Sequence, residues 1–103
     1  HPVGCVDLFD YDAIHRRAAI GILIDPNSRS LGYASEAIQL MKTYAFNQLG
    51  LLQLYCTVGS ENISSIRLFT SQGFTQIGLR KNWIFKNGIF TDVFDFQYVN
   101  SSN

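Results

Sequence analysis

One stretch of this chain brings together residue types that can hold an anion: Asp25-Pro26-Asn27-Ser28-Arg29-Ser30-Leu31-Gly32-Tyr33-Ala34. Asp25, Pro26 and Asn27 are strong turn formers, and a proline cannot continue a strand ladder. A helix is then expected to begin near Gly32. The first turn of a helix leaves backbone N–H groups without partners and carries about half a positive charge, so a pyrophosphate fits there. Gly32 removes the side chain that would keep a ligand away from the backbone. Arg29 adds a full charge on a planar donor fork, and Ala34 is small enough for the helix start to lie against a ligand. The same stretch also reads as an ordinary strand-to-helix turn that happens to contain a glycine. Groups able to move protons are scattered upstream: Asp7, Asp10, Asp12 and His15. Histidine has a suitable intrinsic pKa, although each of these four also reads as a solvated turn or surface residue.

The elements that must position this stretch follow from hydrophobic periodicity. Residues 3–9 and 18–24 read as strands, with turn chemistry at Asp10-Tyr11-Asp12 between them. Ala34, Ala37, Ile38, Met41, Ala45 and Leu49 recur at three- and four-residue spacing, the apolar stripe of a helix that ends at Gly50. Residues 51–58 alternate as a strand. Residues 61–72 form a shorter helix with Asn62 as N-cap and Gly73 just past its end. Two β-rich runs, 75–85 and 89–99, flank Asn87-Gly88, a pair suited to a tight hairpin turn. The order is strand, strand, helix, strand, helix, strand, strand: an α/β arrangement on a mixed sheet, one domain over residues 1–103.

Composition narrows the function classes. The chain has 103 residues, 47% hydrophobic and 14% aromatic, with formal net charge zero and no run of like charges. Such a balance offers no electrostatic footprint for nucleic acid or an anionic membrane. No apolar stretch reaches the roughly 18 residues needed to span a bilayer. Cys5 and Cys56 lack metal-ligand spacing, and no metal site is expected; both read as small buried hydrophobes in a reducing, cytoplasmic setting. The chain opens on His1-Pro2, without methionine, as a fragment or a processed protein would.

With these residues in view, the sequence resembles the GNAT superfamily of N-acetyltransferases. Arg29-x-x-Gly32-x-Ala34 is similar to the family's acetyl-CoA signature [Q/R]-x-x-G-x-[G/A]. Glu61-Asn62-Ile63-Ser64-Ser65-Ile66-Arg67-Leu68-Phe69-Thr70-Ser71-Gln72-Gly73-Phe74 resembles its E-N-x-x-[AS]-[IV]-x-[LI]-Y-x-x-x-G-F segment. Asn87-Gly88-Ile89-Phe90-Thr91-Asp92 is similar to the N-G-x-[YF]-x-D hairpin of the branch holding the spermidine and ribosomal-protein alanine acetyltransferases. The three motifs occur in order and cover nearly the whole chain.

The resemblance implies a GNAT-like mixed sheet flanked by helices. It implies acetyl-CoA as co-substrate and transfer of acetyl to a primary amine, such as a polyamine or a protein N-terminus. The strand at Ile22, Leu23 and Ile24 would splay from the strand at 52–58, with the pantetheine arm in the gap. The amides of Arg29, Ser30, Leu31, Gly32, Tyr33 and Ala34 would hold the pyrophosphate. Asn62 and Ser65 would approach the pantetheine, with Phe69 and Ser71 further along the same helix among the cofactor-binding positions. A backbone amide near Ile24 would polarise the thioester carbonyl.

The chain departs from that pattern in three ways. Phe69 stands where many relatives place a tyrosine that protonates the leaving thiolate. Ala19 stands where relatives often carry a glutamate. Family domains also have a further strand and two helices before the segment matched here, so the chain is expected to be truncated at its N-terminus. It would then hold the cofactor half and leave a sheet edge inviting self-association. Asp10 falls near where polyamine enzymes carry an acid, which makes it a substrate-binding candidate. Trp83, Phe85, Phe90, Phe94, Phe96 and Tyr98 crowd the terminal hairpin, to line an acceptor pocket, to form a dimer surface, or to pack on the core. The departures leave two other readings open: a non-catalytic CoA-binding module, and a structural domain of the same fold.

Overall fold

The computed structural model describes residues 4–24 and 31–100, with side chains from residue 6 to 23 and from residue 32 onward. The elements run β1 (Gly4–Asp12), β2 (Arg17–Ile24), α1 (Leu31–Thr43), a π-helical turn (Tyr44–Gln48), β3 (Gln53–Gly59), α2 (Ile63–Ser71), β4 (Thr75–Lys86) and β5 (Ile89–Val99). The strands form one sheet in the order β1-β2-β3-β5-β4, mixed because β2 and β3 are parallel and every other pair is antiparallel. The expected succession of strands and helices is therefore present.

Two boundaries differ from the sequence reading, each for a physical reason. β1 does not turn at Asp10 but runs on to Asp12, with an irregularity in its pairing after Phe9 and Asp10 at φ 53°. The turn chemistry is real but acts further along. The Asp12 carboxylate accepts from the His15 backbone N–H at 2.9 Å and contacts its Nδ1 at 2.9 Å, closing the turn at 13–16. The long helix also changes character after Thr43. Leu49 N–H reaches back to the Tyr44 carbonyl, an i→i−5 bond that inserts one residue and keeps Ala45 fully buried.

Both helices lie on one face of the sheet. Ala34 and Ile38 of α1 and Leu68 and Phe69 of α2 share a single apolar cluster with Ala18, Ile20, Leu54, Cys56, Val58, Phe74 and Phe96. Burying each large aliphatic or aromatic side chain there stabilises the fold by about 1.5–3 kcal/mol before entropy is counted. Gly73 lets the chain turn from α2 into β4: it has φ 89°, and an added Cβ would lie 2.9 Å from the Tyr98 ring. The hairpin closes as expected, with Asn87 at φ 53° and Gly88 at φ 77°, the left-handed pair of a type I′ turn.

The residues that alternate with the core face the other way. Gln53, Tyr55 and Thr57 of β3, Asp95 and Gln97 of β5, and Arg80 of β4 occupy this second face, which no helix of the described residues covers. Beyond the end of β3 the β4–β5 hairpin projects alone. Its residues 81–90 are exposed, Trp83 at 59% and Phe85 at 63% among them. The hairpin aromatics thus divide. Phe96 is buried in the core and Phe94 and Tyr98 pack against it, whereas Trp83, Phe85 and Phe90 face solvent.

Candidate functional site

The parallel pairing of β2 with β3 stops after three residue pairs, Arg17↔Gln53, Ala18↔Leu54 and Ala19↔Tyr55. Past that point β2 continues on β1 as far as Ile24, and β3 continues on β5 as far as Gly59. The two strands therefore fork. Residues 20–24 and 56–59 each present a strand edge that the other has left, and an edge of free backbone donors and acceptors accepts an extended, amide-bearing ligand. Ile22, Leu23 and Ile24 lie on this open stretch of β2.

The helix starts converge on the same side. α1 begins at Leu31, and no acidic side chain occupies its first turn. Gly32 has an ordinary φ, and a Cβ added there would meet nothing within 4 Å. Among the described residues neither backbone conformation nor packing calls for a glycine at this helical position, where it costs about 0.5–1 kcal/mol relative to alanine. The bare backbone leaves room for a ligand to approach it. Tyr33 is half exposed and Ala34 is buried beneath the turn. Arg29 and Ser30 lie outside the described residues, and so does the side chain of Leu31.

α2 contributes a second terminus. The Asn62 side chain caps it by accepting from Ser65 N–H at 3.2 Å, as expected of a capping asparagine. A groove of about 280 Å³ separates α2 from α1 and is lined by Ser35, Ile63, Ser64, Arg67, Leu68 and Ser71. One guanidinium and three hydroxyls in such a groove suit a phosphate-bearing ligand. Ser35, Ser64 and Arg67 were not singled out from the sequence. The signal was there, because Ser64, Arg67, Leu68 and Ser71 follow the i, i+3, i+4, i+7 spacing of one helical face. The Ser71 hydroxyl donates to the Leu68 carbonyl at 2.7 Å.

Other candidates are placed elsewhere. Phe69 is only 2% exposed, with its ring edge-on to Phe74 at a centroid distance of 5.1 Å, so it serves the core between helix and sheet. Ala19 is buried at the mouth of the fork, paired to Tyr55 on one side and Phe9 on the other, and brings no carboxylate there. Asp10 follows Phe9 at the irregularity in β1, on the strand that flanks the fork. His15 and Asp12 hold one another at the exposed β1–β2 turn. The His15 backbone N–H is the main cause that lowers the Asp12 pKa. Cys56 is no nucleophile: burial, reinforced by the Asp95 carboxylate, pushes its thiol up to about 12. Among the described residues no three His, Cys, Asp or Glu groups converge as metal ligands. No helix among them is long and apolar enough to cross a membrane.

The chain is similar to known proteins. The chain matches the acetyltransferase (GNAT) domain over residues 1–75. It is 33% identical over 101 residues to the spermidine N(1)-acetyltransferase of Escherichia coli (strain K12), an alignment covering 93% of this chain and 54% of that protein. It is 38% identical over 74 residues to the uncharacterized N-acetyltransferase YoaA of Bacillus subtilis (strain 168), covering 72% of this chain and 42% of the relative. Among solved structures, the dodecameric spermidine N-acetyltransferase from Vibrio cholerae in an intermediate state superposes with a TM-score of 0.87 at 30% identity. That match covers 96% of this chain and 58% of the other. The chain spans about half the length of the curated relatives it matches.

Proposed function

The chain belongs to the acetyltransferase (GNAT) family, and from that premise we propose that residues 1–103 form one acetyl-CoA-binding unit that transfers acetyl to a primary amine. The observation that carries the reading is the fork between β2 and β3 beside the unobstructed start of α1. In this reading the amides of 29–34 hold the pyrophosphate, with Arg29 and Ser30 adding side-chain donors. Residues 22–24 pair with the pantetheine arm, while Ser65 and the Asn62 amide border it. Ser35, Arg67 and Ser71 receive the phosphate-rich end, and Phe69 supports the site through the core beneath it.

Acetyl-CoA supplies an acyl carbon activated as a thioester. The amine nitrogen bonds to that carbon, the C–S bond breaks, the amine gives up a proton and the thiolate gains one. An alkylammonium with a reference pKa near 10.4 must first shed a proton to attack. The chain's part is mainly positional: the fork fixes the carbonyl, and a backbone N–H near Ile24 stabilises the developing oxyanion. Asp10 is assigned, on the flanking strand, to the acceptor ammonium. A cytoplasmic setting suits the reading, because Cys56 then stays a free thiol. Self-association belongs to it too: the Vibrio cholerae relative is a dodecamer, and Trp83, Phe85 and Phe90 here offer an exposed apolar surface.

Two observations favour a second reading, a CoA-binding module without turnover: Phe69 is buried in the core, and Ala19 occupies the mouth of the fork. One experiment separates the cases. Acetyl-CoA is titrated into the 103-residue chain by calorimetry, with Gly32→Asp as control, and CoA release is then followed with amine present. Saturable binding lost in the variant, together with amine-dependent release, supports the enzyme. Binding without release supports the module. No binding by the folded chain removes both.

A further inference from the structure

The face that no described helix covers holds a cavity of about 370 Å³ whose polar lining is Arg17, Gln53, Tyr55, Arg80, Asp95 and Gln97, beside three apolar side chains. Tyr55 belongs both to this cavity and to the last residue pair before the fork, so the cavity opens beside the fork on the side away from the helices. On the acetyltransferase reading, a co-substrate held by the helix starts would enter the fork from one face and leave the other to the acceptor.

The arrangement of Arg80 decides what kind of acceptor fits. Its Nε donates to Asp95 Oδ2 at 2.8 Å, and the guanidinium lies over the Trp83 ring, 4.8 Å from the centroid. The second Asp95 oxygen accepts from the Thr57 hydroxyl at 3.0 Å. Both carboxylate oxygens are therefore engaged, whereas Arg80 has committed one of its five N–H donors and is held rigid by a ring on its face. Gln53 and Gln97 are bonded to one another. Arg17 leans toward Asp12 at 3.6 Å. Each arginine thus has one carboxylate partner, Arg17 with Asp12 and Arg80 with Asp95, so what is left over is not charge but donors: the Arg80 guanidinium keeps N–H groups beyond its bond to Asp95. Such a fork receives a carboxylate and offers an ammonium no free acid.

We propose that this cavity seats the carboxylate of an amine acceptor, with Arg80 as the specificity-determining contact, so that the acceptor is an amine bearing a carboxylate rather than a polyamine. The choice of an amine rests on the acetyltransferase reading, but carboxylate binding in the cavity is measurable without turnover. Trp83 is the single tryptophan of the chain and stacks on Arg80, so its fluorescence reports the cavity.

The test titrates the full chain, with no acetyl-CoA present, with 4-aminobutyrate, n-butylamine and spermidine. The first two differ only in the carboxylate. A saturable Trp83 response to 4-aminobutyrate, at least roughly tenfold tighter than to n-butylamine or spermidine, is expected from a charge-assisted contact. Arg80→Gln should reduce that preference to less than about twofold, and Arg80→Lys should restore part of it. The double variant Arg80→Gln/Asp95→Asn leaves no unpaired acid and must lose the preference in the same way. Equal responses to the three ligands, no response to 4-aminobutyrate, or a preference that survives both glutamine variants overturns the proposal. Acetyl-CoA calorimetry on the same samples shows separately whether the acetyltransferase reading stands.

Discussion

On its helix-covered face the sheet presents Ala18, Ile20, Leu54, Cys56, Val58 and Phe96, closed over by Ile38, Leu68 and Phe69. Among the described buried residues the one charged side chain is Lys42. On the open face the same strands present Arg17, Tyr55, Thr57, Arg80, Asp95 and Gln97, with Arg80 and Thr57 both bonded to the Asp95 carboxylate beside a cavity. The two faces meet at the fork after Ala19 and Tyr55. In the reading proposed above the faces divide the labour: the apolar face fixes the helix starts assigned to the co-substrate, and the polar face is assigned the choice of acceptor. Changes on the first should act on stability and co-substrate affinity, and changes on the second on acceptor choice alone.

The sharpest break in that contrast is Phe69→Ala. The ring is 2% exposed, so its loss should destabilise the fold by about 3–5 kcal/mol, read as a lower urea midpoint. An unchanged midpoint would mean that Phe69 faces a groove instead of the core. Next comes Gly32→Asp, which adds an anion where none of the described residues stands in its way. Acetyl-CoA affinity should fall about 100-fold by calorimetry, with the melting temperature within a few degrees of the parent.

Lys42 tests the apolar face in a milder way. It is buried, donates to the Gln72 carbonyl at 2.8 Å and sits 4.1 Å from the centre of the Tyr98 ring. Burial holds its pKa below 10.5. The folded chain therefore binds fewer protons than the unfolded chain between that lowered pKa and 10.5, and the Lys42 contribution to stability rises with pH through that window. Lys42→Met should remove this rise while changing stability at neutral pH by less than about 1 kcal/mol, since desolvation and bonding offset each other. A parallel pH profile in the variant would refute the assignment. The smallest effect expected is that of Thr57→Val on the open face: under about 1 kcal/mol of stability, no change in acetyl-CoA affinity, and a measurable change in acceptor KM.

Much of this was legible in the residues. The apolar stripe from Ala34 to Leu49, the Asn62 cap, and the Asn87-Gly88 turn all act through neighbours close in sequence, and all are where periodicity puts them. Asp12 shows the limit of such reasoning. Its chemistry marked a turn, but cross-strand pairing with Arg17 carried β1 past Asp10 and moved the turn along the chain. The fork was foreseen only by resemblance, because a break in parallel pairing leaves no local pattern. The open-face cavity was not foreseen at all. Thr57, Arg80 and Asp95 come from three strands, and the register shifts that align β4 on β5 at Gln76/Gly78 and Arg80/Ile84 are invisible to hydrophobic alternation. The Ser35 and Arg67 groove falls between these cases, readable on α2 but completed only by α1.

The division between the faces is tested most directly by mapping backbone amide chemical shifts of the 103-residue chain as acetyl-CoA is added. The account predicts that the largest shifts fall on residues 20–24, on 32–34 at the start of α1, on 56–59, and on 62–65 at the start of α2. Residues 81–90 of the projecting hairpin should stay still. Shifts concentrated instead on the hairpin and the open face, with the fork unmoved, would contradict it.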